Sequence, residues 1–253
     1  MIHIKSAKEL EGMRRACAIS AEALKYGGSH IEAGMTTAEL DQLIYDYIVK
    51  HGAKPNFKGL YGFPGTACIS VNDTIIHGIP SPKVVIRPGD IVTIDTGAKI
   101  NGFNGDNACT FACGKIDSEA QRLMDVTKHS LHLGIAQAIP GNRIGDIGAA
   151  VQSYCEENGF SVVREFTGHG IGKELHEDPE VPNFGHAGRG PRLVAGMTIA
   201  IEPMICENDH KIKTLSDGWT VKTRDGGLAA HFEHTIAILP GGPEILTIGW
   251  ENP

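Results

Sequence analysis

The sequence predicts an α+β fold in one compact domain, residues 1–253. Amphipathic helices occur in two pairs, and short β-rich runs follow each pair instead of alternating singly with helices. No linker or low-complexity stretch divides the chain. The first helix opens at a capping box, Ser6 with Glu9, where each residue can satisfy an otherwise unpaired amide of the other. Leu10, Met13, Cys17, Ala21 and Leu24 then recur on one face, and Gly27-Gly28 is expected to stop the helix. Thr36 with Glu39 repeats the cap for a second helix, whose stripe is Leu40, Leu43, Ile44, Tyr47 and Ile48, with Gly52 past its end. Strands are expected at 67–71, 84–86 and 91–96, then a turn at Asn101-Gly102 and a strand over 103–111. A second helix pair follows at 117–138 and 144–158, and β-like runs at 161–166, 197–201 and 228–239.

The two helix pairs resemble each other at an offset of 107 residues: Gly34 falls on Gly141, Leu40 on Ile147, Ile44 on Val151, Tyr47 on Tyr154 and Gly52 on Gly159. Any two amphipathic helices ended by Gly would match about as well, so duplication and coincidence both remain open at this level. A duplicated chain would be two similar halves closing one site.

Composition excludes several functions. With 41% apolar and 21% charged residues the chain is neither disordered nor fibrous, and its formal charge of −7 gives no attraction to a phosphate backbone or an anionic membrane. Uncharged stretches such as 59–72 are broken by Gly and Pro and fall short of the ~20 apolar residues of a spanning helix. No nucleic-acid or membrane partner is expected. The opening Met1-Ile2-His3-Ile4-Lys5 lacks a basic region followed by an apolar core, so a cytoplasmic location is expected. The six cysteines show no Cys-x-x-Cys pair and read as reduced thiols, with Cys109 and Cys113 expected in buried strands.

Misplaced acids carry the chemical signal. Asp95 stands inside an apolar run with Val92 and Ile94, where a carboxylate is costly unless something neutralises it. A two-residue turn at Asn101-Gly102 would set Ile100 against Phe103, Asp95 against Ala108 and Asp106 against Gly97. The two aspartates would then lie diagonally on one face, with Cα atoms roughly 7–8 Å apart. Like charges so close resist joint ionisation, and a divalent cation between them removes the conflict. Glu202, ending Met197-Thr198-Ile199-Ala200-Ile201, and Glu233, leading Thr235-Ile236-Ala237-Ile238, repeat the anomaly. His169 lies among Gly168, Gly170 and Gly172, which let backbone approach the imidazole but have neither dinucleotide-binding nor Walker spacing. One imidazole and four carboxylates suit Mn, Fe, Co or Zn, and four negative charges balance two divalent ions, a hydrolytic arrangement.

Together the ordered motifs resemble those of the type I methionine aminopeptidases, in the pita-bread family of dinuclear metallohydrolases. The resemblance runs from the Ser6 helix to Ile238. It is carried by Val71-Asn72-Asp73 leading to His77-Gly78-Ile79-Pro80, by Asp95 and Asp106, by Gly168-His169-Gly170-Ile171-Gly172 with His176, by Ile201-Glu202-Pro203-Met204, and by Phe232-Glu233-His234-Thr235. It implies a pita-bread fold, an antiparallel sheet covered by two pseudo-symmetric helix pairs. It also implies metal ligation by Asp95, Asp106, His169, Glu202 and Glu233: Asp106 and Glu233 bridging two ions, Asp95 chelating one, His169 with Glu202 completing the other. Glu202 would double as general base, and His77 and His176 would contact the scissile peptide.

A methionine pocket is implied at Phe57, Leu60, Phe63, Cys68, Leu175 and Trp219, although Phe57 and Leu60 stand where Cys and Tyr are common and Leu175 where Phe is common. Asn107-Ala108 replaces the frequent Thr-Ser after Asp106, which bears on the support of that ligand. The implied activity is removal of the initiator methionine from nascent chains with a small second residue, by a monomer working near the ribosomal exit tunnel, although no basic tail marks a docking surface. A proline-directed aminopeptidase or dipeptidase, or a non-catalytic pita-bread binding module, are the alternatives.

Overall fold

Both predicted capping boxes form. The Glu9 amide donates to Ser6 Oγ at 3.4 Å and the Ser6 amide to Glu9 Oε2 at 3.0 Å, opening α1, Ala7–Ser29. Glu39 and Thr36 do the same at 3.2 and 2.8 Å for α2, Thr37–Lys50. The second pair is α3, Ser118–Gln137, capped by Asp117, and α4, Ile144–Glu157. This computed structural model describes residues 1–250, so the last three residues of the predicted 1–253 domain lie outside the described residues.

Nine strands, antiparallel at every pairing, make the main sheet. Its path runs Lys54–Pro55, Ile91–Ile100, Phe103–Ala112, Glu233–Leu239, Thr198–Ile201, Gly168–Gly170, Glu177–Val181. Ala67–Val71 also pairs with Ile91–Ile100, and Gly242–Ile245 with Glu233–Leu239. The Asn101-Gly102 turn takes φ of 51° and 84°, as a two-residue hairpin requires, and sets the expected register: Ile100 opposite Phe103, Asp95 opposite Ala108, Gly97 opposite Asp106. Helices α1 and α2 cover the half of the sheet built on that hairpin, while α3 and α4 cover the half built on 168–201. Because Ile94 is buried in the apolar core beneath the helices, Asp95 next to it points to the opposite face.

The 107-residue offset is a real geometric repeat. Gly34 and Gly141 take φ of 97° and 102° and donate to Ile86 O and Leu193 O at 2.9 and 3.0 Å. Bridges Thr36–Val85 and Arg143–Arg192 keep the same offset, as do the bounds of α2 and α4. The duplication reading therefore holds.

Four expectations need correction. Gly27 and Gly28 do not stop α1. A Cβ at Gly27 would lie 2.9 Å from Ile44 Cγ1, and one at Gly28 2.3 Å from the Phe111 ring, so both glycines serve close packing on α2 and the sheet. Residues 84–86 form the isolated Thr36–Val85 bridge in place of a strand: Ile86 O accepts from the Gly34 amide, the Ile86 amide donates to Met35 O, and Val84 O accepts from the Thr37 amide. The run at 161–166 is a strand only at Ser161–Val162. The run at 228–239 divides at Phe232 into Ala229–His231, which pairs with Met204–Cys206, and Glu233–Leu239, which enters the main sheet. All six cysteines are buried thiols outside any disulfide, Cys109 within a strand and Cys113 just past its end.

Gly105 lies where the hairpin meets α1. A Cβ there would sit 2.6 Å from Cys17 Cα and 2.7 Å from the Ala16 carbonyl carbon, backbone atoms that cannot yield without moving the helix. Gly105→Ala is expected to lower stability by about 1–3 kcal/mol, read as a lower urea midpoint at unchanged denaturant slope.

Candidate metal centre

The register assembles the acids. Ala108 pairs with Asp95 on one side and with Glu233 on the other, so both acids lie level across three adjacent strands. Asp106, two residues before Ala108 on the middle strand, shares their face. Across the seam, His169 is held in the Gly168–Gly170 strand, and Glu202 follows Thr198–Ile201 with its backbone carbonyl accepting from Asn183 Nδ2 at 2.9 Å. The glycines beside His169 are required. A Cβ at Gly168 would meet Ala200 O at 2.3 Å and one at Gly170 would meet Asp178 O at 2.1 Å.

His169 Nε2 lies 3.6 Å from Asp106 Oδ2 and 3.7 Å from Glu202 Oε1. Its Nδ1 is 2.8 Å from Gly170 O, a contact that places the proton on Nδ1 and leaves Nε2 as a lone pair facing the carboxylates. One ligand atom each from Asp106, His169 and Glu233 fall within 4.8 Å of one another.

Electrostatics make the grouping untenable as bare anions. Burial, then Asp106, raises the Asp95 carboxyl well above its usual range. Burial raises Asp106 against an opposing hydrogen bond from the Asn107 amide. Burial raises Glu202 and Glu233 too, followed for Glu202 by Asp95 and Asp106, and for Glu233 by Asp106, Glu202 and Asp95. Asp95 Oδ1, Asp106 Oδ1 and Glu233 Oε1 are buried with no hydrogen-bond partner. Orphaned acceptors facing one lone-pair nitrogen fit divalent cations.

The other predicted residues line the same cleft, of about 630 Å³. Phe57, Leu60, Phe63, Cys68, Leu175 and Trp219 form its apolar wall. His176 packs edge-on to His169 with ring centroids 4.6 Å apart, and His77 lies edge-on to Phe166 and Trp219. Burial, then a neighbouring imidazole, pushes His77 and His176 each down to about 4, so both are neutral at pH 7. Lys5 reaches from the N-terminal arm to Glu177 at 2.6 Å, fastening the segment next to His176.

Sequence reasoning missed some of the surroundings. Tyr61, Glu177, Asp178 and Glu180 also line the cleft, and His231, 1% exposed, has Nε2 3.8 Å from Glu202 Oε2. Burial, then His77, pushes His231 down to about 3. Strand alternation was the available signal: His231 and Glu233 are two residues apart in an extended segment. The Asn107 side chain, placed on the opposite face from Asp106 by the same alternation, reaches that ligand only through its backbone amide.

The model of metallopeptidase family M24 matches residues 11–240. A methionine aminopeptidase of Clostridium perfringens is 53% identical over 98% of this chain and 99% of its own length. The crystal structure of a methionine aminopeptidase from Thermotoga maritima superposes with a TM-score of 0.96 at 43% identity, covering 98% of this chain and 99% of that one. A prolidase from Pyrococcus horikoshii shares the architecture less closely, with a TM-score of 0.78 and 26% identity over 96% of this chain and 63% of that chain.

Ion removal should be visible in stability alone. Between about pH 7.5 and 8, His77, His169, His176 and His231, shifted down by burial, are neutral in the folded state and mostly neutral in the unfolded one, so the carboxylates dominate. Their folded pKa values are raised. The folded state therefore holds more protons than the unfolded one, and its stability falls as pH rises toward the folded values. Chelated protein is expected to lose melting temperature across this interval while Mn²⁺-loaded protein does not, measured by calorimetry at each pH.

Proposed function

We propose that this chain, which belongs to metallopeptidase family M24, is a type I methionine aminopeptidase that removes the initiator methionine from polypeptides whose second residue is small. The observation that carries the reading is the convergence of Asp95, Asp106, His169, Glu202 and Glu233 on one buried face beside an apolar cleft. High identity over nearly the whole chain to methionine aminopeptidases supports it, whereas the prolidase likeness is weaker and spans less of that protein.

Asp95, Asp106, His169, Glu202 and Glu233 would hold two divalent ions, drawn from Mn, Fe, Co or Zn. When bound, such ions lower the pKa of water and stabilise negative charge on oxygen. The protein's own groups do the rest. The wall of Phe57, Leu60, Phe63, Cys68, Leu175 and Trp219 receives the flexible thioether side chain and excludes water around it. Glu202 accepts the proton of the attacking water and returns it to the departing amine. His77 and His176, neutral and each carrying one N–H, donate toward the peptide as charge develops on its carbonyl oxygen.

The same reading places the substrates at nascent-chain N-termini in the cytoplasm, with the ribosome near its exit tunnel as the partner that presents them and the protein acting as a monomer. Among the described residues no helix is long and apolar enough to cross a membrane.

Mn²⁺-loaded protein is expected to release methionine from a Met-Ala peptide and to leave a Met-Leu peptide intact, followed by chromatography of free methionine. Preference for Xaa-Pro peptides would replace this reading with the proline-directed one. A protein that binds no divalent ion tightly in calorimetry would be the non-catalytic module. Glu202→Gln should lower kcat by roughly 10²–10⁴ with KM little changed.

A further inference from the structure

His231 is a buried polar side chain in search of a partner. Its ring is 1% exposed, and neither Nδ1 nor Nε2 has a hydrogen-bond partner. An unsatisfied buried ring of this kind is destabilising, a penalty a phenyl ring in the same place would avoid. Its backbone is fixed from two directions. The His231 amide donates to Thr110 Oγ1 at 3.0 Å, the same hydroxyl lies 3.0 Å from His231 O, and His231 pairs with Met204 across the Met204–Cys206 strand. Thr110 in turn contacts the Thr93 hydroxyl at 2.8 Å, tying this clamp to the hairpin that carries Asp95 and Asp106. With its backbone so held, His231 brings its ring Nε2 to 3.8 Å from Glu202 Oε2.

Glu202 has a demanding task. Its Oε1 faces His169 at 3.7 Å, its backbone carbonyl is tied to Asn183, and its Oε2 faces His231 at 3.8 Å. A carboxylate that must both hold a cation and handle a proton needs its second oxygen oriented, which rotation about its terminal bond would otherwise randomise.

We propose that His231 is a positioning residue for Glu202, donating an imidazole N–H to Oε2 and thereby fixing the plane of that carboxylate. Closing the present 3.8 Å to a normal hydrogen bond takes only a small rotation of the glutamate, of the sort that occurs when catalytic contacts tighten around a substrate. The inference does not turn on the charge of the ring, because a neutral imidazole and an imidazolium each carry an N–H. It rests on the reading of Glu202 as ligand and base.

The test separates donation from packing. His231→Phe keeps the ring and removes the donor, His231→Leu is a second donor-free variant, and His231→Gln returns an N–H at comparable reach. Affinity for Mn²⁺ alone, by titration calorimetry, is expected to fall roughly 10–100-fold in the Phe and Leu variants and to recover to within about threefold in the Gln variant. kcat on Met-Ala peptide should follow the same order at unchanged KM. In a Glu202→Ala background, where the acceptor is gone, His231→Phe should have no further effect on Mn²⁺ binding. Wild-type affinity in both donor-free variants, a Gln variant as weak as Phe, or an undiminished loss in the Glu202→Ala background would each overturn the proposal. Ion affinity is read without substrate. A wild-type protein that releases no methionine but shows this pattern would remove the aminopeptidase reading and leave the role of His231 standing.

Discussion

Four carboxylates and an imidazole packed on one dry face are the constraint around which the rest of the molecule is arranged. Burial raises every one of those acids, and neighbouring carboxylates raise Asp95, Glu202 and Glu233 further. A chain folding for stability alone would gain by replacing such a group with apolar side chains. Keeping it demands a rigid frame, and the frame is the register of three adjacent strands, with Ala108 separating Asp95 from Glu233 and small enough to leave space between them.

The repeat explains why the centre lies where it does. The first half supplies Asp95 and Asp106 from the hairpin under α1 and α2, and the second supplies His169 and Glu202 from strands associated with α3 and α4. Glu233 opens the strand that pairs with Phe103–Ala112 on one side and Thr198–Ile201 on the other. The seam between the halves is thus itself a strand carrying a carboxylate. Closing the sheet and gathering the five proposed ligands are one event, which makes the site a product of both halves and the property of neither.

Much of this was legible because it is local. Asn101-Gly102 fixes a two-residue turn, and a turn of known length fixes every opposition along the hairpin, so Asp95 and Asp106 could be placed on one face before any coordinates. The capping boxes at Ser6 and Thr36 are likewise decided within four residues. Glu202 and Glu233 stood out as charges in apolar strands, but their roles came from family resemblance, since no spacing rule joins residues so far apart. What escaped notice depends on packing between distant elements. Gly27-Gly28 carries the same local signal as a helix stop, yet its lack of side chains is used against Ile44 and Phe111. His231 is harder to read for a related reason: alternation sets it on the side of Glu233, but its place beside Glu202 depends on Phe232 dividing one apolar run between two sheets.

Burial acts in opposite senses on the two kinds of titratable group here, and the chemistry needs both. The carboxylates around His169 would by charge alone favour imidazolium, yet desolvation is the first cause at His77, His169, His176 and His231, and each is shifted downward. Neutralising the carboxylates with cations removes the attraction that opposes this shift, so ion binding strengthens the preference for neutral imidazole. A neutral ring has one N–H and one lone pair. At His169 the Gly170 carbonyl takes the N–H and directs the lone pair inward, while His77 and His176 remain free of that tie and can turn an N–H toward a peptide oxygen. On the proposed reading, one cleft thus makes one histidine a ligand and two others donors, and the Gly170 carbonyl within reach of the His169 ring is what sets that histidine apart.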